Sequence, residues 1–301
     1  MYSLFLAPIS QKVLAGAVYA LCHRSQILDR RPYNTITRCS ADPLYDPSPS
    51  VEDFAMLYRP LFWTSFWCED WIHASQYRGG ASRILISSAS AKTAFCLAYL
   101  IRKRGATLGN GGPTRQVVGL TSRKNVEFTK RLGLYDYVLE YDAFEKADVM
   151  RESLQKWIYF DVAGNKDLNS KVLNHFVHAK LGLVGAVALG LTNLSPSSKS
   201  DLAEKWTGND SSQKTLELFF MPEWLARRKK ELSIGQITRL QKEAWTGLME
   251  DCRGWGITTR RVYGADNVKK AYEEVVRGGF PPNEGFIWSM WDQDAGIQAR
   301  L

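Results

Sequence analysis

A run of small residues, Ser87 to Ala91 (SSASA), lies between the apolar segment Ile84–Ile86 and an amphipathic helical pattern. Serine hydroxyls donate hydrogen bonds to phosphate oxygens, and a helix N-terminus adds free N–H groups and a positive dipole. The usual sequence at such a place is G-x-G-x-x-G, but this run contains no glycine. The alternative is an ordinary serine helix cap. We predict a phosphate-binding loop, whose contact residues are Ser88, Ala89, Ser90, Lys92 and Thr93.

The end of the next apolar strand carries the sequence TSRK, about 30 residues further on, which is the length of one βαβ unit. A site for NAD places Asp or Glu here, because a carboxylate accepts hydrogen bonds from the ribose hydroxyls. Hydroxyl groups and two cations suit a 2′-phosphate instead. The alternative is a helix cap by Ser122, with Arg123 and Lys124 merely exposed. We predict NADPH (NADP) as the cofactor, bound in part by Thr121, Ser122, Arg123 and Lys124.

Metal ligands and hydrolase nucleophiles are not grouped in this sequence. The cysteines are scattered without a C-x-x-C pair, which favours reduced thiols in the cytoplasm over a disulfide framework or a structural zinc. His175 and His178 can share a helix face, but no third ligand lies near them in sequence. No G-x-S-x-G motif is present, which argues against hydrolase chemistry. We therefore predict no metal.

The net charge of +8 is spread along the chain, with one cluster at Arg227–Lys230. A nucleic-acid-binding protein would show basic residues interleaved with aromatic ones on one face. The cluster is better explained as a solvated helix face, and a modestly basic surface suits an anionic cofactor. No uninterrupted apolar stretch reaches the roughly 18 residues of a membrane span. The expected partner is a small apolar substrate, with neither nucleic acid nor membrane.

Alternating strands and helices from residue 83 onward position these residues. Apolar strands such as QVVGLT and WIYFDVAG alternate with helical patterns, one of them over Ala147–Gln155. A polar stretch, Ser195–Lys214, interrupts the series, and a helix over Ile237–Cys252 follows it. The segment DPSPS (Asp46–Ser50) is expected to be a linker. The pattern predicts an α/β fold with a parallel sheet covered by helices on both faces.

Several segments resemble the medium-chain dehydrogenase/reductase superfamily. GLTSRKNVEFTKRLGLYDYVLEYD is similar to its nucleotide-domain pattern, in which a loop of variable charge precedes xKxxxxKxLGADxVxxY. YFDVAGN resembles its xxDxxGG strand end, which adds Asp161 and Gly164 to the expected cofactor-binding residues. SADPLYD, LYRPLFWTSF, ISSASAKTA, VVGLTSRKNVEF and FDVAGN together resemble one uncharacterised branch, a domain of unknown function.

The resemblance implies a Rossmann-type doubly wound parallel sheet beside a reduced GroES-like substructure. Residues 1–50 are then a remnant of the GroES-like catalytic domain and a linker, because the superfamily's sequences extend further on the N-terminal side. Residues 51–225 form the Rossmann nucleotide-binding domain. Residues 226–301 form C-terminal helices and strands that return to the catalytic part.

Zinc-dependent members of the superfamily take their ligands from the part that this chain lacks, so the resemblance implies a zinc-free reductase. Such an enzyme needs a group that polarises or protonates the acceptor. The segment LYRPLFWTSFWCEDW is dense in aromatic residues. It is either a core helix between domains or an exposed aromatic wall for a flat apolar substrate, and both can hold. The candidate catalytic residues are Tyr45, Tyr58, Arg59 and Thr64.

Three functions stay open. The first is an NADPH-dependent, zinc-free reductase of an apolar carbonyl, enone or quinone in specialised metabolism. The second is a non-redox isomerase or cyclase on the same fold, and the third is a nucleotide-binding sensor or partner protein without turnover. We expect a cytoplasmic protein and a homodimer, because proteins that resemble medium-chain dehydrogenases commonly pair.

Overall fold

The computed structural model describes residues 39, 42–107, 115–189, 216–279 and 281–292, and the backbone of the strands at 10–14, 17–21 and 35–37. Its centre is a six-stranded sheet in the order β6-β5-β4-β7-β8-β9, in which all paired strands are parallel. The strands are β4 (Arg83–Ile86), β5 (Gln116–Thr121), β6 (Tyr137–Glu140), β7 (Lys156–Asp161), β8 (Gly182–Ala188) and β9 (Glu217–Leu218). This is the doubly wound strand order of Rossmann folds. The predicted α/β class with a Rossmann-type parallel sheet is confirmed.

Two smaller sheets are formed by segments that precede and follow the central sheet in the sequence. An antiparallel sheet contains β1 (Ser10–Leu14), β2 (Ala17–Leu21) and β3 (Thr35–Thr37). A parallel pair contains β10 (Thr258–Tyr263) and β11 (Glu284–Ser289), which α8 (Ala265–Gly278) connects. We call β10, α8 and β11 the C-terminal unit. The three predicted domain boundaries stay predictions.

The other helices alternate with the strands of the central sheet. They are α1 (Pro49–Ala74), α2 (Gln76–Gly80), α3 (Lys92–Thr107), α4 (Val126–Arg131), α5 (Lys166–His178), α6 (Met221–Glu231) and α7 (Ile234–Asp251). α2 is a left-handed turn, in which φ is between 51° and 53° at Gln76, Tyr77 and Arg78. The basic cluster Arg227–Lys230 lies on α6, where Arg228 pairs with Glu231 at 2.7 Å.

Two local predictions are wrong. The helix expected over Ala147–Gln155 is replaced by two short 3-10 turns, Phe144–Lys146 and Asp148–Met150. The linker expected over Asp46–Ser50 already contains the start of α1, because a proline at the first helical position has the required φ and needs no amide partner. The predicted polar stretch Ser195–Lys214 lies outside the described residues.

Both faces of the central sheet are buried. Ile84 and Ile86 pack into one apolar cluster with side chains of α1, α3 and α7. Leu85, which points the opposite way, belongs to a second cluster with Leu168 and Val172 of α5. Because successive side chains of a strand alternate between faces, the short apolar run of β4 supplies both cores.

The aromatic residues of α1 belong mainly to the core. Tyr58, Phe62 and Trp67 are at most 1% exposed, and Phe66 is also buried. Phe62 packs against Trp245 of α7 at 5.7 Å between ring centroids. The expectation of a core helix is confirmed, and the expectation of an exposed aromatic wall is wrong for these four residues. Burying each such ring contributes roughly 1.5–3 kcal/mol.

Candidate functional site

The loop after β4 and the turn after β7 meet at the carboxyl edge of the sheet. β4 and β7 are neighbours, but the chain continues from them to opposite sides of the sheet. Ligands of open α/β sheets bind in the crevice that such a change of direction creates. Ser87 joins the two segments: its hydroxyl donates to Asp161 Oδ1 at 3.2 Å and accepts from the Val162 amide at 3.0 Å.

The loop reaches a left-handed conformation without glycine. Ser88 has φ of 52°, a region that costs an L-residue about 1–2 kcal/mol. Its carbonyl accepts from the Ala91 amide at 2.7 Å, which closes a tight turn ahead of α3. The Tyr141 hydroxyl donates to Ser88 Oγ at 3.3 Å. Serine thus replaces the conformational freedom of glycine at an energetic cost that these contacts offset.

The glycine that lets the loop Ser87–Ala91 approach the sheet closely lies in the neighbouring strand β5. A Cβ on Gly119 of β5 would lie 2.7 Å from Ala89 Cβ and 2.9 Å from Tyr135 Cδ1. Ala89 is fixed there because its amide donates to the Leu120 carbonyl at 2.8 Å and its carbonyl accepts from the Tyr135 hydroxyl at 2.9 Å. An isolated glycine inside an apolar strand signals such an approach. The motif VVGLT therefore contained a signal that sequence reasoning missed.

Donors for an anion converge at the start of α3. Within the described residues the backbone N–H groups of Lys92, Thr93 and Ala94 have no acceptor, as is usual in a first helical turn. Ser90 Oγ accepts hydrogen bonds from Thr121 Oγ1 at 3.3 Å and from Asn125 Nδ2 at 3.0 Å. Because a hydroxyl has two lone pairs and one proton, Ser90 keeps its proton for another acceptor.

The end of β5 presents cations and a hydroxyl. Ser122 precedes the 3-10 turn Arg123–Asn125 but makes no side-chain cap hydrogen bond, so the alternative of a Ser122 cap is wrong. Arg123 and Lys124 are exposed, and neither forms a hydrogen bond or ion pair with the residues that the structure describes. Thr121 is fully buried and holds Ser90. Two positive charges without a partner among the described residues therefore stand at the end of β5.

Asp161 and Gly164 shape the turn after β7. The carboxylate of Asp161 is 1% exposed, and its Oδ1 accepts from the Gly164 amide at 3.1 Å. Its Oδ2 accepts from Asn169 Nδ2 at 2.7 Å, and Asn169 Oδ1 accepts from the Tyr159 hydroxyl at 2.6 Å. Gly164 has φ of 69°, which favours glycine. Asn169, Tyr159 and Tyr141 were not predicted, because their roles depend on contacts between separate elements.

Lys92 and Thr93 contact other parts of the chain. The Lys92 ammonium donates to the carbonyls of Pro282 and Glu284, at 3.3 and 2.8 Å. Burial lowers the pKa of Lys92 to about 8. The Thr93 carbonyl accepts from Ser65 Oγ at 2.8 Å. These two residues can therefore offer a phosphate their backbone amides, whereas the side chain of Lys92 is engaged elsewhere.

The four candidate catalytic residues lie in α1 or just before it. The Tyr45 hydroxyl donates to Glu52 Oε1 at 3.2 Å, and Thr64 Oγ1 donates to the Pro60 carbonyl at 3.2 Å. Arg59 forms an ion pair with Asp42.

Tyr58 is the buried member of this set. Its hydroxyl has no acceptor among the described residues, and burial raises its pKa. No hydrogen bond in the described residues joins any of the four to the loop Ser87–Ala91. Their catalytic roles stay predictions.

The described residues bring no three His, Cys, Asp or Glu side chains together as ligands. No helix within the described ranges combines the length and the apolarity that crossing a bilayer requires.

The fold is similar to solved oxidoreductase structures. A proposed NADPH:quinone reductase from Mesorhizobium loti matches with a TM-score of 0.51 and 15% identity, over 90% of this chain and 70% of that protein. E. coli YhdH with bound NADPH matches with a TM-score of 0.46 and 15% identity, over 85% and 67%. The yhdH oxidoreductase of Salmonella enterica in complex with NADP matches with a TM-score of 0.40 and 18% identity, over 73% of this chain.

These identities are low, so the likeness concerns the fold. This chain spans 58% of the Salmonella protein's length. A comparison with curated proteins finds no match. The family described as "protein of unknown function (DUF2855)" matches residues 11–281, which is most of the chain. The chain therefore belongs to the DUF2855 family.

Proposed function

We propose that this chain binds NADPH at the carboxyl edge of its central sheet. The observation that carries the proposal is the end of β5, where Arg123 and Lys124 are exposed and unpaired within the described residues beside the hydroxyl of Ser122. A carboxylate for ribose hydroxyls is absent from Thr121–Asn125. Free cations at this place favour a 2′-phosphate over a hydroxyl.

The pyrophosphate has its own donors in this proposal. The amides at the start of α3 have no acceptor among the described residues, and Ser90 keeps its proton while its oxygen accepts from Thr121 and Asn125. Asp161 is not a ligand here, because its carboxylate oxygens already accept hydrogen bonds from Ser87, Gly164 and Asn169. It positions the turn after β7 against the loop.

We further propose that the protein is a zinc-free member of the medium-chain dehydrogenase/reductase superfamily that reduces an apolar carbonyl, enone or quinone. Bound NADPH supplies the hydride. The similar fold of a proposed NADPH:quinone reductase supports this class. Tyr45 is the exposed member of the candidate catalytic set, and its hydroxyl, which donates to Glu52 Oε1, lies outside the core.

A second candidate is an NADPH-binding sensor without turnover. The favouring observation is that Arg59 and Thr64 are held by partners within the protein and that Tyr58 is buried. Both candidates share the NADPH site. They differ in whether NADPH is consumed, which absorbance at the nicotinamide band measures with a panel of enones, quinones and ketones.

A titration with NADPH and NADH tests the site. A charge-assisted hydrogen bond contributes roughly 1.5–3 kcal/mol, so we expect at least about tenfold tighter binding of NADPH. Arg123→Ala with Lys124→Ala should remove most of this preference. The matched control is Lys269→Ala with Lys270→Ala, which removes the same charge from an exposed pair on α8. Equal affinity for both nucleotides in the unmodified protein would refute the proposal.

A further inference from the structure

Lys92 belongs to the phosphate loop through its backbone and to the C-terminal unit through its side chain. It is the first residue of α3, and its amide has no acceptor among the described residues. Its ammonium donates to the carbonyls of Pro282 and Glu284, which lie just before β11 and at its first residue. Lys92 therefore links the phosphate loop to a segment that lies 190 positions further along the chain.

The C-terminal unit has a separate attachment to α1. Arg261 of β10 donates to Asp53 Oδ1 at 2.8 Å, and Thr259 donates to the other oxygen of that carboxylate at 3.2 Å. A Cβ on Gly285 of β11 would lie 2.5 Å from Leu57 Cδ2, so this strand presses on α1. These contacts hold the unit on α1, whereas Lys92 joins it to α3 and to the phosphate loop.

We propose that Lys92 is a positioning residue that couples occupation of the phosphate loop to the placement of the C-terminal unit. The proposal rests on the proposed NADPH site. A pyrophosphate on the first amides of α3 fixes the backbone of Lys92. The side chain then holds Pro282 and Glu284 in one place, because its ammonium is partly buried and donates hydrogen bonds to both carbonyls. A methionine at this position fills similar space but donates to neither carbonyl.

Hydrogen–deuterium exchange of residues 281–289 tests the attachment without any cofactor. Loss of two hydrogen bonds to an ammonium should speed exchange in this segment at least about tenfold in Lys92→Met. Lys92→Arg keeps the charge and the donors, and should restore slow exchange. The control Lys270→Met makes the same change at an exposed position of α8 and should leave the segment unchanged.

Hydrogen–deuterium exchange of the same segment, measured with and without NADP, tests the coupling. Saturating NADP should slow exchange at 281–289 in the unmodified protein and in Lys92→Arg, but not in Lys92→Met. Binding itself is followed separately by tryptophan fluorescence, so failure of the NADPH site is distinguished from failure of the coupling. NADP that binds equally to all three proteins and protects the segment in Lys92→Met would overturn the coupling. Exchange in cofactor-free Lys92→Met at the unmodified rate would overturn the attachment.

A labelling experiment on the unmodified protein covers the case in which Lys92→Met does not fold. Acetylation by a small reagent, measured with and without saturating NADP, follows the accessibility of the Lys92 amine, which donates to two carbonyls. NADP should slow the reaction of Lys92 and leave that of the exposed Lys270 unchanged. An unchanged rate at Lys92 with NADP bound would overturn the coupling.

Discussion

Gly119→Ala in β5 should distort the phosphate loop, which packs against this strand. The added methyl group would lie 2.7 Å from Ala89 Cβ and 2.9 Å from the Tyr135 ring. The loop cannot retreat freely, because the Ala89 amide is bound to the Leu120 carbonyl and Tyr135 is bound to the Ala89 carbonyl. Such overpacking of a buried site costs about 1–3 kcal/mol. In a chain of 301 residues that corresponds to roughly 1.5–2 °C in Tm for each kcal/mol.

Urea denaturation and NADPH titration of the same variant measure the two consequences. We expect a lower free energy of unfolding together with weaker NADPH binding, because the shifted loop no longer presents Ser88 and Ser90 correctly. The control is Gly105→Ala in α3, where a Cβ meets nothing within 4 Å. That change should stabilise the protein by about 0.4–1 kcal/mol. If Gly119→Ala unfolds and binds NADPH as the unmodified protein does, the close approach of Ala89 to β5 is not what shapes the loop.

Two further predictions concern buried polar groups. The pKa of Lys92 is about 8 in the folded protein, against an ordinary value of 10.5, because burial disfavours its charge. The unfolded chain therefore binds more protons between these values, so the unmodified protein should gain up to about 3 kcal/mol relative to Lys92→Met as the pH rises from 8 to 10.5. The titratable neighbour of Lys92 is Cys96, whose thiol stays protonated because burial raises its pKa. A constant difference in unfolding free energy between the two proteins from pH 8 to 10.5 would contradict the prediction. Asn169→Leu leaves Asp161 Oδ2 and the Tyr159 hydroxyl without their partner, and should lower the free energy of unfolding by about 2–4 kcal/mol and weaken NADPH binding. Urea denaturation measures the former, and an unchanged midpoint would show that Asn169 does not hold the turn.

The central sheet was predictable because its strands are short apolar runs separated by helical patterns. β4 and β5 were placed to within a residue, and the loop between β4 and α3 was found from its small residues alone. The helix expected over Ala147–Gln155 failed for a physical reason. Only Val149 and Met150 are buried there, and two adjacent residues cannot form the stripe that a helix presents to a core.

The candidate site was predictable only where one segment supplies the whole signal. Arg123 and Lys124 stand out because a charged pair replaces the carboxylate expected after a strand. Asn169 and the side chain of Lys92 gave no such signal, because their partners come from elements far along the chain. Contacts of this kind depend on the folded topology, and spacing in the sequence does not contain them.

The pairing of Ala89 with Gly119 has an evolutionary consequence. The space that a phosphate loop needs is shared between two segments, so natural selection can remove side-chain volume from either one. A lineage with glycine at position 89 would lose the shorter of the contacts that alanine at 119 makes, whereas a lineage with alanine at 89 must keep glycine at 119. Divergence can thus erase a glycine-rich loop while the contact it served persists. Searches that count loop glycines will pass over such descendants, whereas a search for the summed volume of both positions will retain them.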